Sequence, residues 1–250
     1  MILRPIMLFL ALPLVIATLV LSTAQACPLI GGLVDLNCDG EINISVLGDS
    51  LVSGIGDTKN DNQGGYVLRA ARRLPQLEIH NLGVAGQNTR QLLMDLNQKL
   101  KSGSDNSTKS ALMVSDLVFI DLGRNDRWFF GLPLATYRNL KRIRDVVKNR
   151  VNDLSAYKPF VVMAVLMLPN RGSQGPWVKE LNSIILKKSR ASNPNDLRFD
   201  LVSKRLLSSD QIHPTPDGYD ALAKVFVSYI SSKKLRTRMV RAAPDPPGAE

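Results

Sequence analysis

Apolar residues along this chain fall into two rhythms, short unbroken runs and longer stretches at helical spacing, and the two alternate from residue 42 onward. Residues 42–47 (INISVL) form a run rich in β-branched side chains between turn formers, which predicts a buried strand. Residues 65–74 (GYVLRAARRL) carry helical spacing and stop at Pro75, and 77–82 (LEIHNL) predict a short strand. An amphipathic helix follows over 88–100, then a polar linker, SGSDNSTKS, and another buried strand at 117–122 (LVFIDL). A long helix covers about 134–151, and 160–168 (FVVMAVLML) is the most apolar strand. The pattern closes with a helix over 175–190, a strand at 197–202 and a helix over 217–230. Five strands alternating with helices, several of them apolar on both faces, predict an α/β fold with a parallel sheet covered on each side. A single domain over 42–232 accommodates all of it, and no internal repeat interrupts it.

The first 26 residues obey a different rule. Arg4 precedes the apolar stretch 7–21, and Ala24-Gln25-Ala26 supplies small residues at the spacing a signal peptidase reads, so cleavage is expected between Ala26 and Cys27. An uncleaved anchor is the competing reading, but the stretch falls short of the ~20 residues of a membrane span and contains Pro13. Cleavage would expose Cys27, as in a lipoprotein, yet Ala24 stands where such a signal has leucine. The chain is therefore expected to be secreted or periplasmic. Its only cysteines, Cys27 and Cys38, both lie in the segment 27–41, and in an oxidising compartment they are candidates for a disulfide.

Composition adds bounds rather than a function. Of 250 residues 44% are apolar and 22% charged, as in an ordinary globular protein with a sizeable core. The formal charge of +10 thickens toward the end, with Lys233, Lys234, Arg236, Arg238 and Arg241, before a Pro-rich close, APDPPGAE. Residues 233–250 are therefore expected to be a solvated basic tail, with contact to an anionic lipid or glycan surface as its functional option. Nucleic acid is excluded as a partner by the expected export and the lack of a binding motif. No CxxC or His/Cys cluster suggests zinc. Asp35, Asn37 and Asp39, with Gly40 after them, stand at calcium-loop positions, but Val46 occupies the place of the closing acid. An Asx-rich turn is the better reading there.

Reactive groups of open parallel sheets gather beyond the carboxyl ends of the strands. Those ends carry Gly48-Asp49-Ser50-Leu51, then Asn81-Leu82-Gly83-Val84-Ala85-Gly86, then Gly123-Arg124-Asn125-Asp126, and finally Asp210-Gln211-Ile212-His213-Pro214. A serine hydroxyl needs a base within hydrogen-bond reach to act as nucleophile. The chain has two histidines; His80 lies inside a predicted strand, whereas His213 opens the last helix, three residues after an acid that can orient its ring. Ser50 offers its own N–H, Gly86 a backbone free to approach a ligand, and Asn125 a side-chain amide to an oxyanion.

Taken together, the four blocks resemble those of the SGNH hydrolase superfamily, the GDSL lipases and esterases, over roughly residues 42–231. The resemblance implies a flavodoxin-like three-layer α/β/α sandwich. It also implies Ser50 as nucleophile, His213 as base, Asp210 as its orienting acid, and Ser50, Gly86 and Asn125 as oxyanion donors. Gly83 is an alternative to Gly86, which has the family's position just before the helix. No cofactor is implied. Trp128 and Phe129, with Phe130, follow the third block and are candidates to line an acyl pocket or simply to pack. The expected function is a secreted esterase working through an acyl-enzyme on short acyl or acetyl esters of lipid or carbohydrate, since no long lid is evident. The alternative is a non-catalytic surface module binding calcium or anionic polymer.

Overall fold

The computed structural model describes residues 27–101, 103–155, 157–189 and 197–243. The expected leader over 1–26 and all but the first residue of the Pro-rich close lie outside them.

The chain enters through a small antiparallel hairpin, β1 (Leu29–Ile30) and β2 (Leu33–Val34), tied back by a disulfide between Cys27 and Cys38. β3 (Asn43–Gly48) then runs into a short helix, α1 (Ser50–Ser53), and on to α2 (Gly65–Arg73). β4 (Glu78–Gly83), α3 (Thr89–Lys99), α4 (Ser107–Val114) and β5 (Leu117–Asp121) follow. After β5 come a short helix α5 (Arg127–Phe130), the long α6 (Pro133–Ser155), β6 (Phe160–Met163) and α7 (Gln174–Ser189). α8 (Pro216–Ile230) and α9 (Lys233–Ala242) complete the described chain.

Alternation along the strands builds the three layers. Ile44 and Val46 of β3 and Leu117 and Phe119 of β5 point into one core, which α2, α8 and α9 cover. Leu47, Val118 and Ile120 point into the other, beneath α3, α6 and α7. The sheet is parallel with order β4-β3-β5-β6, and Gly48 lies in register with both Gly83 and Asp121. Three strands therefore end level, directly beneath Ser50.

Four expectations need correction. The sheet has four strands rather than five. The run at 197–202 contributes a single parallel bridge, Val165 to Arg198, and then coils into a 3₁₀ turn at Phe199–Leu201. Arg198 and Asp200 pair across that turn at 2.7 Å, while Phe199 is drawn into the core against Tyr66, 4.9 Å between ring centroids. Second, the run at 160–168 pairs with β5 only as far as Met163. The Asn182 side chain bonds both Leu166 N–H and Leu166 C=O, at 2.9 and 2.8 Å, taking the place of a neighbouring strand. Third, the linker expected up to Ser110 is already helical from Ser107, because Asn106 caps α4 by accepting from Lys109 N–H at 2.9 Å. Last, the basic run from Lys233 is helix α9, not solvated tail. Ser232 caps it, and Leu235 and Met239, one turn apart, are buried in the core.

Candidate active site

Ser50 stands where β3 stops. Asp49 caps α1, its carboxylate accepting from Leu51 N–H at 3.1 Å, which turns the chain and leaves Ser50 as the first helical residue. Gly48 must lack a side chain here, since a Cβ would lie 2.7 Å from the Asp121 carbonyl oxygen.

His213 reaches Ser50 from the loop before α8. That loop is closed by Ser208 N–H donating to His213 C=O at 2.7 Å and by Gln211 at φ +61°. Thr215 and Pro216 then start α8. His213 Nε2 lies 2.9 Å from Ser50 Oγ, and His213 Nδ1 lies 2.5 Å from Asp210 Oδ2. Asp210 Oδ1 also accepts from Ile212 N–H, His213 N–H and the Ser208 hydroxyl, at 2.8, 2.9 and 2.7 Å. Partial burial pushes the Asp210 carboxyl up, but these hydrogen bonds outweigh it and hold it well below the usual carboxylate range. Asp210 therefore stays charged and fixes Nδ1 as the protonated nitrogen, leaving Nε2 as acceptor toward the serine.

Gly86 lies exposed on the loop between β4 and α3 at φ +76°, with nothing within 4 Å of where a Cβ would stand. A cleft of about 270 Å³ opens there, lined by Val84, Ala85, Gly86, Gln87, Gln91 and Asp95. The Asn125 amide donates to Gln87 C=O at 2.9 Å, tying the third block to the second and leaving its other N–H uncommitted by that bond. Asp126 fixes the same turn from below, accepting from both the N–H and the hydroxyl of Thr89, the first residue of α3. Burial nonetheless pushes the Asp126 carboxyl up to about 6.

Sequence reasoning missed what lies behind Ser50. Arg124, assigned no role there, is fully buried; its guanidinium meets Asp121 at 2.7 Å and Asp49 at 3.3 Å. The Tyr66 hydroxyl donates to Asp121 at 3.2 Å. Burial would lower the Arg124 pKa, but Asp121 and Asp49 raise it further, so the cation is permanent. Two acids at the ends of apolar strands were the available signal, because buried carboxylates need a cation.

Of the other candidates, His80 sits in β4 with Nε2 3.2 Å from Asn43 Oδ1. Trp128 and Phe129 lie on α5 next to Asn125 but face outward; the Phe130 side chain lies outside the described ones. Asp35 is buried and accepts from Gly40 N–H at 2.8 Å, while Asn37 Oδ1 accepts from Asp39 N–H at 3.2 Å and Asp39 Oδ1 from Glu41 N–H at 3.0 Å, the bonding of two successive Asx turns. Among the described residues no group of three His, Cys, Asp or Glu is placed to hold a metal ion. No helix among them is long and apolar enough to cross a membrane.

The parallel sheet, with a serine, a histidine and an acid hydrogen-bonded in line beyond its strand ends, defines the class: a carboxylic ester hydrolase on a three-layer α/β scaffold. The profile of the GDSL-like lipase/acylhydrolase family matches residues 46–221, and the chain belongs to that family. Among curated proteins it is similar to YpmR of Bacillus subtilis (strain 168), 25% identical over 210 residues that cover 73% of this chain and 79% of YpmR. Among solved structures it resembles a lipolytic G-D-S-L family protein from Veillonella parvula DSM 2008, with TM-score 0.59, 15% identity and coverage of 75% and 97% of the two chains. The lipase Lip_vut3 from a goat rumen metagenome superposes equally well, TM-score 0.59 at 18% identity, over 77% of this chain and 99% of the lipase.

Proposed function

We propose that the protein is an exported serine esterase in which Ser50 is the nucleophile, His213 the general base and Asp210 the residue that orients it. The unbroken line from Asp210 through His213 to Ser50, at 2.5 and 2.9 Å, carries this reading. Ser50 Oγ attacks the ester carbonyl carbon while His213 Nε2 takes its proton. The carbonyl oxygen becomes an oxyanion beside Ser50 N–H, Gly86 N–H and the Asn125 amide. The imidazolium then gives its proton to the alcohol oxygen as the C–O bond breaks, leaving an acyl-serine. Water, deprotonated by His213, attacks that carbonyl; the carboxylic acid leaves and Ser50 regains its proton.

Export rests on the leader-like first 26 residues and on the Cys27–Cys38 disulfide, a bond that persists in oxidising compartments. Short acyl or acetyl esters of lipid or carbohydrate are the proposed substrates. The test is hydrolysis of p-nitrophenyl esters from acetate to palmitate by the mature protein and by Ser50→Ala. Loss of at least about 10,000-fold in kcat with an unchanged circular dichroism spectrum is the expected outcome. A Ser50→Ala protein that still turns over would remove Ser50 from the role, and an optimum at long chains would overturn the short-acyl assignment.

A further inference from the structure

Large apolar side chains are unevenly placed on this surface. Among the described residues, six of the eleven exposed ones are Ile55, Val84, Trp128, Phe129, Leu132 and Leu134, all on segments leaving the carboxyl ends of β3, β4 and β5. Those three strand ends lie in register beneath Ser50, so the apolar residues rim the same edge as the nucleophile. Trp128, Phe129 and Leu132 are 61%, 63% and 68% exposed. Ordinary surfaces scatter such residues singly, whereas four within seven positions beside a catalytic turn make a patch.

The patch is held outward. Trp177, 7% exposed, donates its indole N–H to Gly131 C=O at 3.3 Å and anchors the end of α5 from beneath. The Arg127 guanidinium lies 5.8 Å from the Trp128 ring centroid and donates to the Ser173 hydroxyl at 3.1 Å. Two indoles in one chain thus take opposite places, one in the core and one at the rim.

Cations surround this apolar edge. Arg127 adjoins Trp128, and Arg138 lies one turn beyond Leu134 on the same face of α6, with Lys141 and Arg142 continuing that face. From residue 127 to residue 150 the chain carries seven Lys and Arg against one acid, Asp145, which is itself paired with Arg144 at 2.8 Å. Aromatic side chains flanked by basic ones are the composition that seats a protein at the boundary between headgroups and acyl chains.

The geometry points to a lipid-docking face: Trp128, Phe129, Leu132 and Leu134 insert at an anionic lipid surface while Arg127 and Arg138 meet its headgroups, presenting Ser50 to esters held in that surface. This inference rests on the esterase reading and assigns its substrates to the lipid class. It also moves the contact with anionic lipid from α9 and the chain's end to α5 and the start of α6.

The experiment uses the mature Ser50→Ala protein, so binding is read without turnover. Co-sedimentation with phosphatidylcholine vesicles, with and without phosphatidylglycerol, is measured alongside tryptophan emission. Binding that favours the anionic vesicles, with a blue shift lost in Trp128→Ala, is expected. Trp128→Ala/Phe129→Ala should weaken partitioning roughly ten- to a hundredfold, and Arg138→Gln should remove about fivefold of the anionic preference. Leu29→Ser, which changes an exposed leucine on the N-terminal hairpin, should leave binding unchanged. Absence of vesicle binding, or binding that the double variant retains, would overturn the inference. So would a blue shift without vesicles, accompanied by a dimer that the double variant breaks, which would make the face a contact between two copies. Failure of the wild-type protein on dissolved p-nitrophenyl acetate would instead strike the esterase reading, since that substrate needs no surface.

Discussion

At the scale of single residues, the site depends on a charge that never touches substrate. Arg124 sits between Asp49, which caps the helix carrying Ser50, and Asp121, which ends the neighbouring strand. Burial pushes the Asp49 carboxyl up and Asp121 adds to it, while the Arg124 guanidinium and the Leu51 N–H oppose that, so Arg124 is the main group that favours the charged cap. Removing one partner of a buried pair strands the other's charge. Arg124→Met is therefore expected to destabilise the protein by about 3–5 kcal/mol, as urea unfolding at pH 8 would measure. The loss should shrink at pH 5, because the stranded Asp49 carboxyl, already pushed up by burial, neutralises more readily without its cation. A loss that stayed the same across that range would mean the cost comes from packing alone. Arg124 was not legible in the sequence, because Asp49 lies 75 positions away and only the fold brings the two together. Ser50 and His213, though 163 positions apart, were legible because their chemistry leaves each few alternatives.

Elements show the same division between what a local pattern reveals and what packing decides. β3 and β5 were readable because both their faces are buried, so apolar and β-branched residues dominate each run, with Asn43, Ser45 and Asp121 the buried exceptions. The fifth strand was misread for a related reason. Residues 197–202 carry strand-like residues, but the local Arg198–Asp200 pair and the burial of Phe199 favour a coil after one bridge. In α9, five cations mask two anchors, and mean polarity conceals a helix whose buried residues are Leu235 and Met239. Those two buried side chains make a sharp prediction. Leu235→Ala should cost about 2–5 kcal/mol, the range for a buried leucine left as a cavity, and should raise protease cleavage within 233–242 before the rest of the chain. Lys233→Ala, at an exposed position of the same helix, should change stability by no more than about 0.5 kcal/mol. Equal, small effects from both would return the segment to the solvated tail that its composition suggests.

At the scale of the whole molecule, buried carboxylates set how stability responds to pH. Asp116, buried at the start of β5, accepts from Leu36 N–H at 2.6 Å and Asn43 N–H at 2.9 Å, fastening the disulfide-bearing N-terminal segment to the sheet. Burial pushes its carboxyl up to about 7, the two N–H bonds oppose that, and nearby Asp35 and Asp39 add to it. Asp126 is pushed up to about 6 in the same way. Both folded values lie above the ordinary carboxylate value of about 3.9, so between pH 4 and 7 the native state holds more protons than the unfolded chain. Stability must then fall as pH rises through that window, and the penalty is complete once pH exceeds the folded values. Asp210 has the opposite sign, but its contribution is already full above about pH 4 and stays constant across the window. The urea midpoint should accordingly be higher at pH 5 than at pH 8, by a difference on the order of a few kcal/mol in unfolding free energy. Asp116→Asn should flatten most of that slope whatever it does to stability at pH 5, because the group that titrates near neutrality is gone. A midpoint that rises with pH would place the Asp116 proton on the solvent side of the balance, and the N-terminal segment would then be held by an ionised carboxylate throughout.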